Sequence, residues 1–315
     1  MQSTQQLVRA LGQNVARVIV GKQDVVELML IALICRGHVL IEDVPGVGKT
    51  TLASALARSL DCSFRRIQFT PDITPSDITG FSIANFKTGE LEYHEGLVMS
   101  QMVLADEINR TSPKTQSSLL EVMEEGQVTV DGVTYRMPQP FIVLATQNPV
   151  DFVGTYPLPE AQLDRFFMRI SIGYPTPEEE TDILERFTAG GAPMDDLKPI
   201  CTASDIRKVQ EHLSAIYASR EVRSYVALIA AASRKYAGLQ LGISTRGAIA
   251  LIKAAQARAM LAGRDYVIPE DVQHMVEPVL AHRVLPSPEA RMRNITAEKA
   301  LAAVIGSVQV PVRVT

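Results

Sequence analysis

His38-Val39-Leu40-Ile41-Glu42-Asp43-Val44-Pro45-Gly46-Val47-Gly48-Lys49-Thr50-Thr51 is the stretch on which the reading of this chain turns. The apolar run His38 to Ile41 reads as a buried strand, and Leu52 to Leu60 reads as a helix. Between them, Gly46 and Gly48 let the backbone curl until its N–H groups face phosphate oxygens. The helix N-terminus adds a favourable dipole. Lys49 supplies charge for the outer phosphates of a nucleotide, and Thr50 a hydroxyl for Mg²⁺. Val44, Pro45, Gly46, Val47, Gly48, Lys49, Thr50 and Thr51 are therefore candidate nucleotide contacts. The usual pattern opens with a glycine five residues ahead of Gly48, and Asp43 stands there instead. The phosphate-facing part, Gly46 to Thr50, is intact. The bland alternative is a glycine turn ahead of an ordinary helix.

A nucleotide site of this kind needs an acidic pair at the end of a neighbouring buried strand. Val103-Leu104-Ala105-Asp106-Glu107 fits. Asp106 is placed to hold Mg²⁺ directly or through water, and Glu107 to orient and polarise an attacking water. Two acids at a strand end are common. Order gives these weight: apolar strand, Asp-Glu, then a capped helix, all downstream of Lys49-Thr50. Together the two segments read as a hydrolytic ATP site.

Three further residues are candidates. Asn148 closes the apolar run Phe141 to Thr146, and a parallel sheet presents its ligands at the carboxyl ends of its strands. Taken alone, a turn-forming Asn before Pro149 is the better explanation. Arg246 opens an apolar helix, where a cation opposes the dipole, which points to service on an anion. A solvated arginine is the plain alternative. Arg165 is not assigned by physics alone, since pairing with Glu160 or Asp164 accounts for it. The five histidines show no metal-ligand spacing.

Size and composition bound the rest. With 315 residues there is room for two domains, and 46% hydrophobic against 21% charged residues is a globular balance. A net charge of −4 gives no electrostatic case for a nucleic-acid partner. Cys35, Cys62 and Cys201 are scattered and odd in number, which fits a reducing compartment and excludes a disulfide framework. The first residues have no signal-peptide pattern, and the greasiest run, Val25 to Ile34, is too short to span a bilayer. A cytoplasmic location is expected.

The first half alternates β and α. Helices are expected at Thr4–Val18 and Gln23–Cys35, strands at Ser63–Phe69, Met102–Ala105, Phe141–Thr146 and Met168–Ile172, and helices near Pro75, at Ser112–Glu125 and at Glu160–Phe166. Two hairpins are expected, Phe81–Tyr93, turning at Lys87–Glu90, and Gln127–Met137, turning at Asp131-Gly132. After Tyr174-Pro175-Thr176-Pro177 strand signals stop. Helices are then expected at Glu178–Phe187, Ser204–Ala218, Val222–Tyr236, Thr245–Leu261, Pro269–Val284 and Thr296–Val308, with a linker at Thr188–Pro193 and a loose tail from Gln309. The expected division is a nucleotide-binding core at 1–175, a helical lid at 176–285, and a C-terminal helix and tail at 286–315.

Taken together, GHVLIEDVPGVGKT (Gly37–Thr50), FTPDITPSDITG (Phe69–Gly80), LADEINRTSPKTQSSLLEVMEEGQVTVDG (Leu104–Gly132), ATQNPVDFVGTYPLPEAQLDRF (Ala145–Phe166) and DYVIPEDV (Asp265–Val272) with the following LAHRV resemble the MoxR family of AAA+ ATPases. The resemblance runs from about Val18 to Arg283. Asp43 in place of the first glycine is common in that family. Glu95-Gly96-Leu97-Val98 departs from it, where Gly-Pro and apolar residues are usual.

The resemblance implies an α/β fold: an αβα core on a five-stranded parallel sheet, then a smaller all-α lid. It implies ATP and Mg²⁺ as cofactors, Asn148 as sensor 1, Arg165 as an arginine finger on a neighbour's ATP, Arg246 as sensor 2, and Val20-Gly21 near the adenine. Both hairpins would face the ring axis or a client. It further implies a self-assembled ring, usually a hexamer. The work expected of it is chaperone-like remodelling of a protein client, in metal-cofactor insertion or protein maturation, with a von Willebrand factor A-domain partner. The alternatives are a metal-chelatase-type motor subunit, a DNA motor or loader, and a nucleotide switch without turnover. Net charge and the missing zinc module count against the DNA motor, and Glu107 against the switch.

Overall fold

In the computed structural model, which describes residues 2–86, 89–148, 154–188 and 194–311, the chain opens with helices α1 (Gln2–Ala16) and α2 (Gln23–Ile34). Strand β1 (Val39–Glu42) runs into the glycine turn and α3 (Lys49–Ser59). Then follow β2 (Phe64–Gln68), the short α4 (Pro75–Thr79), and a hairpin of β3 (Gly80–Ala84) and β4 (Leu91–Glu95). Next come β5 (Met102–Asp106), α5 (Pro113–Glu125), a second hairpin of β6 (Gln127–Val130) and β7 (Val133–Arg136), β8 (Ile142–Gln147), α6 (Glu160–Leu163) and β9 (Met168–Ile170). The remainder is α7 (Pro177–Thr188), α8 (Ala203–His212), α9 (Arg220–Lys235), β10 (Leu239–Leu241), α10 (Thr245–Leu261), α11 (Pro269–Leu280), β11 (Leu285–Pro286), α12 (Pro288–Met292) and α13 (Ala297–Ser307).

Five strands form one parallel sheet in the order β2-β5-β8-β1-β9. Alternation along each strand sorts the core into two halves. Val39, Ile41, Leu104, Leu144 and Ile170 face α1, α2, α3 and the later helices. Leu40, Val103, Ala105, Val143 and Ala145 face Ile78 of α4 and Leu119, Leu120 and Met123 of α5. Both faces are covered, which is why these strands read as unbroken apolar runs. The first of these clusters is continuous from Val8 in α1 to Val304 in α13, so the later helices share one core with the sheet.

His38 ties three elements together. Its Nδ1 accepts from Val143 N at 2.9 Å, so its Nε2–H is the group facing Met123 O at 2.9 Å. Burial pushes its pKa down to about 4, leaving a neutral ring in a packing role.

Helix ends follow their caps. Ser112, Thr202, Ser219, Ser244 and Thr296 each accept an N–H of the following turn. Ser219 therefore starts α9 two residues before the expected Val222. The helix expected at Ser204–Ala218 stops at His212 and tightens into a 3-10 turn, Leu213–Ala215. The one expected at Pro269–Val284 likewise ends at Leu280 before a 3-10 turn, Ala281–Arg283. Strand structure does not stop at Tyr174: β10 and β11 pair antiparallel, too short to leave a periodic signal. The short α12 also escaped the periodicity. Parts of the expected 87–90 turn, the 188–193 linker and the tail beyond 311 lie outside the described residues.

The two hairpins touch. Tyr93 of β4 stacks on Tyr135 of β7 with ring centroids 3.9 Å apart and planes 15° from parallel. The first hairpin leaves Phe81, Ile83, Phe86 and Leu91 exposed.

Candidate nucleotide site

Gly46 (φ 86°) and Gly48 (φ 89°) both take the left-handed backbone that the turn requires. A Cβ at either would meet nothing within 4 Å, so it is conformation and not space that calls for glycine. Helix α3 starts at Lys49 directly after Gly48, which has no side chain to cap it, so the N–H groups of the first turn get no acceptor from the cap position. Lys49 Nζ donates to Asp43 O at 2.6 Å. Burial lowers the Lys49 pKa, against the opposing negative charges of Asp43, Asp106 and Glu107.

Asp43 is a bracket. Its Oδ2 accepts from Ile172 N at 2.6 Å, Gly173 N at 2.7 Å and Ser171 Oγ at 3.1 Å, and its Oδ1 from Val44 N at 2.9 Å. The carboxylate thus fastens the start of the turn to the chain leaving β9.

The acidic pair ends β5. Thr146, fully buried on β8, donates its hydroxyl to Asp106 Oδ1 at 2.6 Å and accepts from Glu107 N at 2.8 Å. Arg66 grips Asp106 Oδ2 with Nε at 3.1 Å and a terminal nitrogen at 2.6 Å. Gln68 Nε2 and Arg110 both donate to Glu107 Oε2, at 3.0 and 2.9 Å. Glu107 itself has φ 56° and ψ 49°, a left-handed backbone that costs a glutamate about 1–2 kcal/mol. Asn148, nine-tenths buried, lies just past the end of β8.

Arg165 and Arg246 meet on Glu124 at the end of α5. Arg165 Nε lies 2.8 Å from Oε2 and an Arg246 nitrogen 2.9 Å from Oε1. The Arg246 hydrogen bond, helped by the charges of both arginines, holds the Glu124 carboxyl below its usual range. The anion that Arg246 serves in this arrangement is a protein carboxylate. The segment bearing Arg165 is held from the lid side. Buried Arg283 donates to Phe166 O at 2.5 Å and pairs with Asp164 at 3.3 Å. Its pKa falls to about 10 through burial.

Gly21 (φ 73°) lies against Glu179 of α7, and neighbouring Lys22 donates to Tyr174 O at 2.9 Å. Val20-Gly21 thus sits where the first helices meet the start of α7. Thr146, Arg66, Gln68 and Arg283 were missed by motif reading. Polar Arg66 and Gln68, alternating with Ile67 in a short strand, were the available signal.

Residues 38–168 match the ATPase family associated with various cellular activities (AAA), and residues 231–304 match the AAA lid domain. The chain is 51% identical to the uncharacterised protein YeaC of Bacillus subtilis, over 96% of this chain and 94% of that one. It is 42% identical to the chaperone MoxR1 of Mycobacterium tuberculosis, over 95% and 81% respectively. A crystal structure of a protein from Cytophaga hutchinsonii, provisionally described as an ATPase, superposes with a TM-score of 0.91 at 36% identity, covering 99% of this chain and 97% of the other.

Proposed function

Since the chain belongs to the MoxR family of AAA+ ATPases, we propose that it hydrolyses ATP with Mg²⁺ to remodel a protein client. The observation that carries this reading is topological: Lys49 opens α3 on the turn leaving β1, and Asp106 ends β5 of the same parallel sheet with Glu107 next to it, so all three stand on the side of its carboxyl ends. The donor set suits the metal. A Thr50 hydroxyl and an Asp106 carboxylate are hard oxygen ligands of the kind Mg²⁺ takes when nucleotide oxygens and water complete its shell. Bound there, the ion would neutralise charge on the phosphates. Lys49 would leave Asp43 O for a phosphate, Glu107 would polarise the attacking water, and Asn148 would orient that water or the γ-phosphate.

Arg165 and Arg246 point to a shared site. Both are paired on Glu124, and neither is paired with Asp106 or Glu107 among the described residues. In a ring, hexameric in this proposal, that cluster would reach the nucleotide of the next subunit. The core at 1–175, the lid at 176–285 and the C-terminal segment 286–315 are the proposed units, packed on one continuous apolar cluster. Among the described residues no helix is long and apolar enough to cross a membrane. A cytoplasmic setting, a von Willebrand factor A-domain partner, and a role in cofactor insertion or protein maturation complete the proposal, on family resemblance.

The test is Glu107→Gln. It retains ATP binding and loses turnover by roughly 10²–10⁴-fold, the range of a general base. Phosphate release at the wild-type rate would remove Glu107 from that role.

A further inference from the structure

We propose that Arg66 is a positioning residue that occupies Asp106 in competition with the divalent cation and, through Gln68, holds Glu107 in the same resting arrangement. The inference rests on the nucleotide-site reading above. Its basis is a continuous chain of side-chain hydrogen bonds. Arg66 places two nitrogens on Asp106 Oδ2, at 3.1 and 2.6 Å, while Thr146 takes Oδ1 at 2.6 Å. The same Arg66 terminal nitrogen donates to Gln68 Oε1 at 3.0 Å, and Gln68 Nε2 donates to Glu107 Oε2 at 3.0 Å. Both acids of the pair are thereby tied to β2. Residues two apart on a strand share a face, so Arg66 and Gln68 line up along one side of β2, which runs beside β5 with Gln68 in register with Asp106.

A carboxylate with both oxygens engaged has little left for a metal or a metal-bound water. A divalent charge beside Asp106 and a guanidinium 2.6 Å from it also repel each other. Arg66 must therefore withdraw for Asp106 to serve the cation. Withdrawal strips Gln68 Oε1 of its donor, while Arg110 keeps its own hold on Glu107 Oε2. Arg66 is a metal gate on Asp106, with Gln68 bridging it to Glu107 in the resting arrangement.

Its geometry makes the role separable from stability. The Arg66 side chain is 49% exposed and Asp106 14% exposed, so the pair contributes little to folding while still screening the acid. A purely structural Arg66 would leave cation affinity unchanged, or lower it if its loss disordered the site. A competing Arg66 gives the opposite sign.

The experiment measures Mn²⁺ binding to the full chain with ADP, counting free Mn²⁺ by electron paramagnetic resonance. Arg66→Met, which keeps the apolar stem, binds Mn²⁺ roughly 3–10-fold more tightly than wild type. Arg66→Lys, a single-point cation, falls between the two. Arg65→Ala, whose side chain instead donates to Gly96 O, stays at the wild-type value. Melting temperatures confirm that each variant is folded, and Arg66→Gln replaces Arg66→Met if the latter is not, with the same sign expected. Unchanged or weaker Mn²⁺ binding in the folded variant overturns the proposal. If wild type with ADP holds no more Mn²⁺ than Lys49→Ala does, the nucleotide-site reading fails instead.

Discussion

Asp43 shows how one residue can look like a flaw in a motif and act as a fastener. Its carboxylate gathers the N–H groups of Val44, Ile172 and Gly173 and the Ser171 hydroxyl. Restoring the usual glycine, Asp43→Gly, leaves those donors unanswered at a site only 7% exposed. We expect a loss of about 2–4 kcal/mol, since buried donors without partners each cost about 1–3 kcal/mol. Urea unfolding checks this, and an unchanged midpoint would show that water replaces the carboxylate at no cost. At this scale Lys49, Thr50, Asp106 and Glu107 were legible as candidates, because phosphate and metal chemistry demands those residue types at that spacing. The sequence was silent on Thr146 and Arg283, whose partners lie far along the chain and become neighbours only through the fold.

Among elements, the junction of β1, α5 and β8 depends on a neutral histidine. His38 has a folded pKa of about 4, below the ordinary value of 6.5. The unfolded chain therefore binds more protons between those limits, and stability is lost as pH falls from about 6.5 toward 4. The slope approaches about 1.4 kcal/mol per pH unit, on the order of 3 kcal/mol over the window. His282, lowered to about 3 by burial and by Arg283, adds in the same direction. Denaturation midpoints from pH 7.5 to 5 should fall in wild type and fall less in His38→Gln; parallel slopes would show that His38 is not the sensor.

A second prediction at this scale concerns the hairpins. Stacked aromatic pairs contribute about 0.5–1.5 kcal/mol beyond burial. Tyr135→Ala should therefore speed amide exchange in β3 and β4, and Tyr135→Phe should not. Equal exchange in all three proteins would separate the hairpins mechanically. Strand and helix identities were legible because burial on both sheet faces writes itself as apolar runs, and caps such as Ser112 and Ser244 mark helix starts. The two-stranded β10-β11 ladder was not, because three- and two-residue strands carry no period.

At the level of the whole molecule, Arg165 and Arg246 share Glu124, while Lys49 and Glu107 belong to another cluster. If the arginines act on a neighbour, two crippled proteins should rescue each other. Arg165→Ala alone should lose about 10³–10⁵-fold in turnover, as when a finger is withheld. Mixed with Glu107→Gln, it should regain a measurable share, because some junctions then pair an intact Glu107 with an intact Arg165. Activity that stays additive on mixing would place Arg165 on its own subunit's nucleotide. The β and α alternation was legible in the sequence and the αβα layering in the family resemblance, but the merging of the later helices into the sheet's own apolar core was in neither, since Val8 and Val304 reveal nothing of each other until packed.

The strand order has a consequence for how the protein is made. Val39 lies between Leu144 and Met168 in the finished sheet, so β1 and its phosphate turn leave the ribosome long before either flanking strand exists. During synthesis β1 waits as an apolar segment with both edges open, the condition in which nascent chains pair wrongly. One edge of β1 closes only when β8 has been made, and the other only when β9 has, so the parallel sheet around the phosphate turn is completed late in the chain.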